Sequence, residues 1–133
     1  MTSPTQRTLK HLRDNGYYAA IVEHFNPWVK IRQDAFGILD IIAVHREHTG
    51  VLGIQCTSAS NMSARVKKIV AAPVTPTWIA AGNRIEVWGW SIKGRRGKHK
   101  AWCLSIHPIL EKAIAQQFTP PVEYPPCDHP RTL

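Results

Sequence analysis

The sequence lacks a long hydrophobic run, and it has few cysteines. No apolar stretch approaches the roughly 20 residues of a membrane-spanning helix, and the first residues lack the apolar core of a secretion signal. We therefore expect a cytoplasmic protein with no membrane association. The three cysteines are far apart and form no CxxC pair, which disfavours a zinc site or a disulfide framework.

Acidic residues are also scarce. The chain has 17 lysines and arginines against 9 aspartates and glutamates, which gives a net charge of +8. Between residues 56 and 100, nine basic residues stand against a single acid, Glu86. Such clustering favours a polyanionic partner, most simply DNA. The alternative is a basic face that is merely solvated.

The pattern of apolar residues predicts an α/β protein, in which helices pack on a mixed β-sheet. In chain order we expect a helix at 3–15, strands at 17–25, 38–45 and 51–58, a helix ended by Pro73, a short strand at 77–82, a hairpin around the basic loop KGRRGKH, and a helix at 108–118. Residues 1–118 are expected to form one domain, and residues 119–133 a proline-rich tail.

One carboxylate, Asp40, lies inside the apolar run GILDIIAV at 37–44. An unpaired buried carboxylate is costly, so this position calls for a strong partner. Residues two apart share a face of a strand, so a hairpin of 38–45 with 51–58 would bring Asp40 beside Gln55, with Thr57 on the same face. The carboxylate, the Gln55 amide oxygen and the Cys56 carbonyl form an oxygen donor set that suits Mg²⁺ or Mn²⁺.

Two structural readings of these residues stay open beside the metal site. Asp40 could instead form an ion pair with Arg32 or Lys30. Gln55 and Thr57 could simply hydrogen-bond across the sheet.

The segment GILDIIAV…VLGIQCTSASNMSARVKKI resembles the core of the PD-(D/E)XK nuclease superfamily. The nearest members in size are small Holliday-junction resolvases and phage-encoded nucleases. The resemblance implies a restriction-endonuclease-like sandwich, a mixed β-sheet flanked by helices. It also implies an endonuclease that uses Mg²⁺ or Mn²⁺ to hydrolyse phosphodiesters of DNA, including branched or phage DNA. Because the resolvases are dimers, it further implies a homodimer. Asp40 matches the metal-binding aspartate, and Gln55 matches the (D/E) position.

The chain departs from the superfamily pattern at two positions. Thr57 stands where the superfamily has lysine, and its hydroxyl carries no positive charge. The candidates to replace that cation are Lys30, Lys67 and Lys68. The first helix has no glutamate to match the superfamily's, and Gln6 is the nearest polar residue.

Two further acids, Asp34 and Glu23, are candidates for the same site. The set of expected site residues is thus Asp34, Asp40, Gln55 and Thr57, with Asp40, Gln55 and Cys56 as metal ligands. The missing lysine keeps a second interpretation open, a catalytically degenerate fold that only binds nucleic acid or a partner protein.

Basic and small polar residues surround this segment. Ser58, Ser60 and Asn61 precede a predicted helix, where they could hold a phosphate or cap the helix. Tryptophans 78, 88, 90 and 102 are expected to pack in the core or on a sheet face. The residues expected to contact DNA are Lys30, Arg32, Ser58, Ser60, Asn61, Arg65, Lys67, Lys68, Lys93, Arg95, Arg96 and Lys98.

Overall fold

A computed structural model describes residues 2–94 and 100–111 of the chain. Three of the predicted DNA contacts (Arg95, Arg96 and Lys98), the tail at 119–133 and positions 112–118 of the predicted last helix lie outside these residues. The elements are α1 (Pro4–Asp14), β1 (Tyr18–Ile21), β2 (His24–Asn26), β3 (Ile31–Gln33), β4 (Ile41–Val44), β5 (Leu52–Ser58), a 3₁₀ turn (Ala59–Asn61), α2 (Met62–Ala71), α3 (Val74–Ala80), β6 (Arg84–Lys93) and β7 (Ala101–Pro108).

Five strands form one mixed sheet in the order β1-β4-β5-β6-β7. The pair β5–β6 is parallel, and the other neighbours are antiparallel. Among the described residues, the short strands β2 and β3 pair with each other and with no further strand. The predicted α/β class with a mixed sheet is confirmed at this level, as are the predicted hairpins β4–β5 and β6–β7.

Helices cover both faces of the sheet. On one face, Leu9 and Leu12 of α1 pack with residues of the central strands such as Ile54. On the other face, Val66 and Ile69 of α2 pack against β6. Each helix therefore buries its apolar stripe against the side chains of one strand face.

The first helix begins as predicted. The Ser3 hydroxyl accepts a hydrogen bond from the Gln6 backbone N–H at 3.2 Å, and Pro4 occupies the first turn, where no N–H is needed. The helix ends before Gly16, whose φ of +87° lies in the left-handed region.

Four predicted elements differ in the structure. Segment 77–82 is not a strand, because Val74–Ala80 forms α3, in which Trp78 donates to the Arg84 carbonyl at 2.7 Å. Segment 17–25 divides into β1 and β2, which belong to different sheets. The predicted strand at 38–45 begins only at Ile41, and the predicted helix at 108–118 does not start at Pro108, because this residue ends β7.

Three of the four tryptophans pack in or against the core, as predicted. Trp88 and Trp90 are buried in the core, Trp78 packs partly buried against α2, and Trp102 stays partly exposed under the Arg7 guanidinium. Cys56 is a free, buried thiol, whereas Cys103 is disulfide-bonded, contrary to the expectation from cysteine spacing. In the described part of the chain, no helix has the length and apolar character that a membrane crossing requires.

Candidate active site

Asp40 lies directly before β4, at the point where this strand meets the middle of β5. Its backbone N–H donates to the Ile54 carbonyl at 2.9 Å, which holds Asp40 against β5. The side chain is buried, and its Oδ2 accepts two hydrogen bonds of 2.7 Å, from Gln55 Nε2 and from the Cys56 backbone N–H. Asp40 and Gln55 are therefore neighbours, as the hairpin predicted.

Gln55 joins two carboxylates. Besides Asp40, its Nε2 donates to Asp34 Oδ2 at 3.2 Å. The amide oxygen Oε1 is buried and has no hydrogen-bond partner among the residues that the structure describes. A buried polar atom without a partner costs about 1–3 kcal/mol. Rotation of the amide by a half turn would exchange the nitrogen and the oxygen, and would aim Oε1 between the two carboxylates.

Glu23 completes a cluster of three acids. Carboxylate oxygens of Glu23, Asp34 and Asp40 all lie within 4.8 Å of one another. The backbone places Glu23 there, because Val22 and Glu23 donate N–H bonds of 2.8 and 3.4 Å to the Asp40 carbonyl. Three separate segments of the chain thus converge on one point.

Asp34 reaches the cluster through a tight turn that follows β3. Gly37 donates its N–H to the Asp34 carbonyl at 2.9 Å, and Ala35 forms a bridge with Leu39. Gly37 has a φ of +76°, a conformation that glycine adopts without steric cost. The turn folds the chain back on itself, so that two acids six positions apart face the same amide.

The cluster is electrostatically strained without a cation. Burial, above all, raises the pKa of Asp40 from 3.8 to about 7, and a hydrogen bond with Asp34 and the charge of Asp34 act in the same direction. The hydrogen bonds from Cys56 and Gln55 oppose this shift only in part. A proton or a metal ion between the carboxylates would relieve the repulsion.

The raised pKa of Asp40 predicts that the metal-free protein loses stability as the pH rises. Between about pH 4 and pH 7 the folded state holds a proton that the unfolded chain has already released, so the free energy of unfolding falls by up to about 1.4 kcal/mol per pH unit. Above pH 7 this loss levels off. Urea unfolding in EDTA at pH 5, 6, 7 and 8 should show wild type losing stability relative to Asp40→Asn. Asp14→Asn removes an exposed carboxylate and keeps Asp40, so it should lose stability with pH as wild type does, whereas the same loss in Asp40→Asn would contradict this assignment.

Lys68 is the candidate cation that the structure places beside the acids. Its Nζ lies 3.7 Å from Asp34 Oδ2, and its side chain is about half exposed. Val66 and Ile69 anchor α2 on the sheet, so Lys68 is held at the flank of the helix nearest the acids. Lys67 is exposed on α2, and Lys30 is exposed in the turn between β2 and β3.

Thr57 lies two residues beyond Gln55 and therefore on the same face of β5. It is buried and pairs in register with Gly89 of β6. A methyl group at Gly89 would overlap the Met62 sulfur. The first turn of α2 therefore packs closely against the sheet at Gly89. A short side chain fits at position 57, the register partner of Gly89.

Cys56 contributes to the site through its backbone. Its thiol packs in the core on the α1 side of the sheet, and burial raises the pKa of the thiol well above its usual range. A thiolate ligand is therefore disfavoured. The Cys56 carbonyl was predicted as a metal ligand. It points to the same side of β5 as the Cys56 N–H, which donates to Asp40, because the N–H and C=O of one strand residue face the same neighbouring strand.

The polar residues before α2 bond to each other. Ser58 Oγ lies 3.1 Å from Ser60 Oγ and accepts from Asn61 Nδ2 at 3.1 Å. Asn61 occupies the N-cap position of α2, one of the two positions predicted, but its side chain makes no cap hydrogen bond. Arg65 is half-buried on α2, and Lys93 is exposed at the end of β6.

No protein-family model, curated protein or solved structure matches the chain.

Proposed function

We propose that the protein is a DNA endonuclease of the PD-(D/E)XK type that depends on Mg²⁺ or Mn²⁺. The observation that carries the proposal is the buried Gln55 amide shared by Asp34 and Asp40, with a third acid, Glu23, beside them. Hard oxygen donors from several segments, with one amide oxygen left unpartnered, fit a small divalent cation. The net charge of +8 supports a polyanionic substrate.

The residues of the site have distinct roles in this proposal. Asp34, Asp40 and Glu23 would hold the cation, and Gln55 would add its Oε1 after rotation of the amide. When bound, the cation supplies charge neutralisation at the scissile phosphate and a lowered pKa for water. Lys68, 3.7 Å from Asp34, supplies the positive charge that Thr57 lacks, and stabilises charge that develops on the phosphate. The Cys56 N–H orients Asp40.

The proposed role of Lys68 predicts a change in the cleavage rate and a separate change in the metal requirement. Replacing Lys68 with alanine should slow DNA cleavage about 100-fold at saturating metal, because one electrostatic contact to the phosphate is lost. The same change should lower the metal concentration at half-maximal rate, because Lys68 no longer competes for Asp34. Single-turnover cleavage across a Mn²⁺ titration measures both effects.

Lys67→Ala is the matched control for Lys68→Ala. It removes the same charge one position away, on the exposed surface of α2. Lys68→Arg should retain part of the rate. Equal losses in Lys67→Ala and Lys68→Ala would mean that α2 contributes only general positive charge.

The function itself is tested with supercoiled plasmid and a synthetic four-way junction. The purified protein is incubated with each DNA in Mg²⁺, Mn²⁺, Ca²⁺ or EDTA. Nicking or junction cleavage in Mg²⁺ or Mn²⁺, and none in EDTA, is the expected result. Absence of cleavage by wild type in both metals on both substrates would overturn the proposal.

A second candidate is a fold that binds nucleic acid without cleaving it. Thr57 at the lysine position favours it, as does the way in which Gln55 and Lys68 already pair with the carboxylates. Binding of DNA to a protein that shows no cleavage in either metal is the outcome that selects this candidate.

A further inference from the structure

The hairpin formed by β2 and β3 exposes large apolar side chains. Within residues 24–33, which we call the apolar hairpin, Trp28 is 90% exposed, and Phe25, Val29 and Ile31 are each more than half exposed. The two strands form a two-stranded sheet of their own, separate from the five-stranded sheet. Four large apolar side chains are therefore exposed within seven consecutive positions, and Phe25 and Ile31 lie on opposite faces of the hairpin because they pair with Arg32 and Asn26.

Both ends of the apolar hairpin are attached to the carboxylate cluster. Glu23 directly precedes β2, and Asp34 directly follows β3. Any polymer bound with a phosphate at the cluster therefore passes next to the hairpin. This adjacency ties the hairpin to the ligand of the site.

The turn of the hairpin holds Trp28 in a defined position. The Trp28 backbone N–H donates to Asn26 Oδ1 at 3.0 Å, and Asn26 Nδ2 donates to Gln33 Oε1 at 3.4 Å. Lys30 closes the turn with a φ of +55°. The indole is thus presented to solvent by a hydrogen-bonded turn.

The charge of the hairpin selects its partner. Residues 24–33 include Lys30 and Arg32 and no acid. A flat aromatic ring beside positive charge suits an anionic ligand with flat apolar faces, which describes unpaired nucleotides. A second copy of the chain would bring the same positive charge against it, and each copy carries a net charge of +8.

We propose that the apolar hairpin binds unpaired bases, with Trp28 stacking on a base next to the carboxylate cluster. The preferred substrate is then DNA with unpaired or splayed bases, such as a single strand or a branch, over continuous duplex. This inference rests on the proposed function, because it places nucleic acid at the cluster. Stacking reads every base by its π-face, so the hairpin confers a structural preference without a sequence preference.

Binding measured without cleavage tests the inference. Fluorescence anisotropy in EDTA gives the Kd for a labelled single strand, a four-way junction and a blunt duplex. Trp28→Ala should weaken binding to the single strand and the junction about 10- to 100-fold, with less than about a twofold change for the duplex. Trp28→Phe should retain most of the affinity. DNA-induced quenching of tryptophan fluorescence should shrink in Trp28→Ala.

Tyr18→Ala is the matched control, because Tyr18 is 83% exposed on β1 and pairs with Val44, at the end of β1 away from Asp40. Equal effects of the two alanine variants, or an equal loss for duplex, would overturn the inference. So would a wild-type dimer that Trp28→Ala converts to a monomer in light scattering, which assigns the hairpin to a second copy. If the protein cleaves DNA and Trp28→Ala does not change binding, the inference about the hairpin is refuted and the proposed nuclease function stands. Selective binding through Trp28 without cleavage refutes only the nuclease.

Discussion

Asp40→Asn is expected to reduce metal-dependent DNA cleavage at least about 1,000-fold, because a lost metal ligand removes several kcal/mol of stabilisation at the phosphate. Asparagine has nearly the same shape, and its amide oxygen can still accept the Cys56 N–H. The fold is therefore preserved while the ligand charge is lost. Single-turnover cleavage of plasmid in Mn²⁺ measures the rate, and anisotropy measures DNA binding, which should change little.

Asp14→Asn is the control for this variant. Asp14 is exposed on α1, where it pairs with Lys10 at 2.7 Å, far in the fold from the carboxylate cluster. Its loss should leave cleavage unchanged. Asp40→Asn with near wild-type activity in Mn²⁺ would remove Asp40 from the mechanism.

Gln55→Glu is expected to have opposite effects without and with metal. In EDTA the variant places a third carboxylate against Asp34 and Asp40 and removes the N–H groups that both accept. An uncompensated buried charge costs about 3 kcal/mol or more, so the free energy of unfolding should fall by that amount. In Mn²⁺ the additional ligand charge should lower the metal concentration for half-maximal cleavage about tenfold.

Urea unfolding in EDTA and in 5 mM Mn²⁺, together with a metal titration of cleavage, measures both effects. Gln6→Glu makes the same chemical change on the exposed surface of α1, and its stability should not depend on metal. A Gln55→Glu protein that is equally destabilised with and without Mn²⁺ would show that no cation binds between the carboxylates.

Much of this site is predictable from local patterns. Two runs of apolar, β-forming residues at 38–45 and 51–58, with a short turn between them, predict a hairpin that pairs Asp40 with Gln55, and the structure confirms this pairing. The apolar spacing at 62, 66 and 69 predicts α2, which carries Lys68. These features follow from side-chain periodicity, which is a property of the sequence.

Other features of the site have no local signal. The Gln55 amide presents nitrogen to Asp40, because two carboxylates in one buried place require a donor between them. No local pattern in the sequence places Asp34 and Glu23 beside Asp40. The turn after β3 and the N–H bonds to the Asp40 carbonyl bring these acids together in the fold. Trp28 stands in a segment with neither helical nor strand periodicity, so its exposure was not predicted.

The sequence by itself determined the α/β class, the order of most elements and the position of a buried acid, because hydrophobic periodicity and turn residues act over a few neighbours. Only the tertiary structure decided that three acids from three segments meet, that Lys68 lies 3.7 Å from one of them, and that the apolar hairpin exposes Trp28. The physical reason is distance along the chain. Contacts between residues tens of positions apart depend on how strands pair and helices pack, and no local pattern encodes that arrangement.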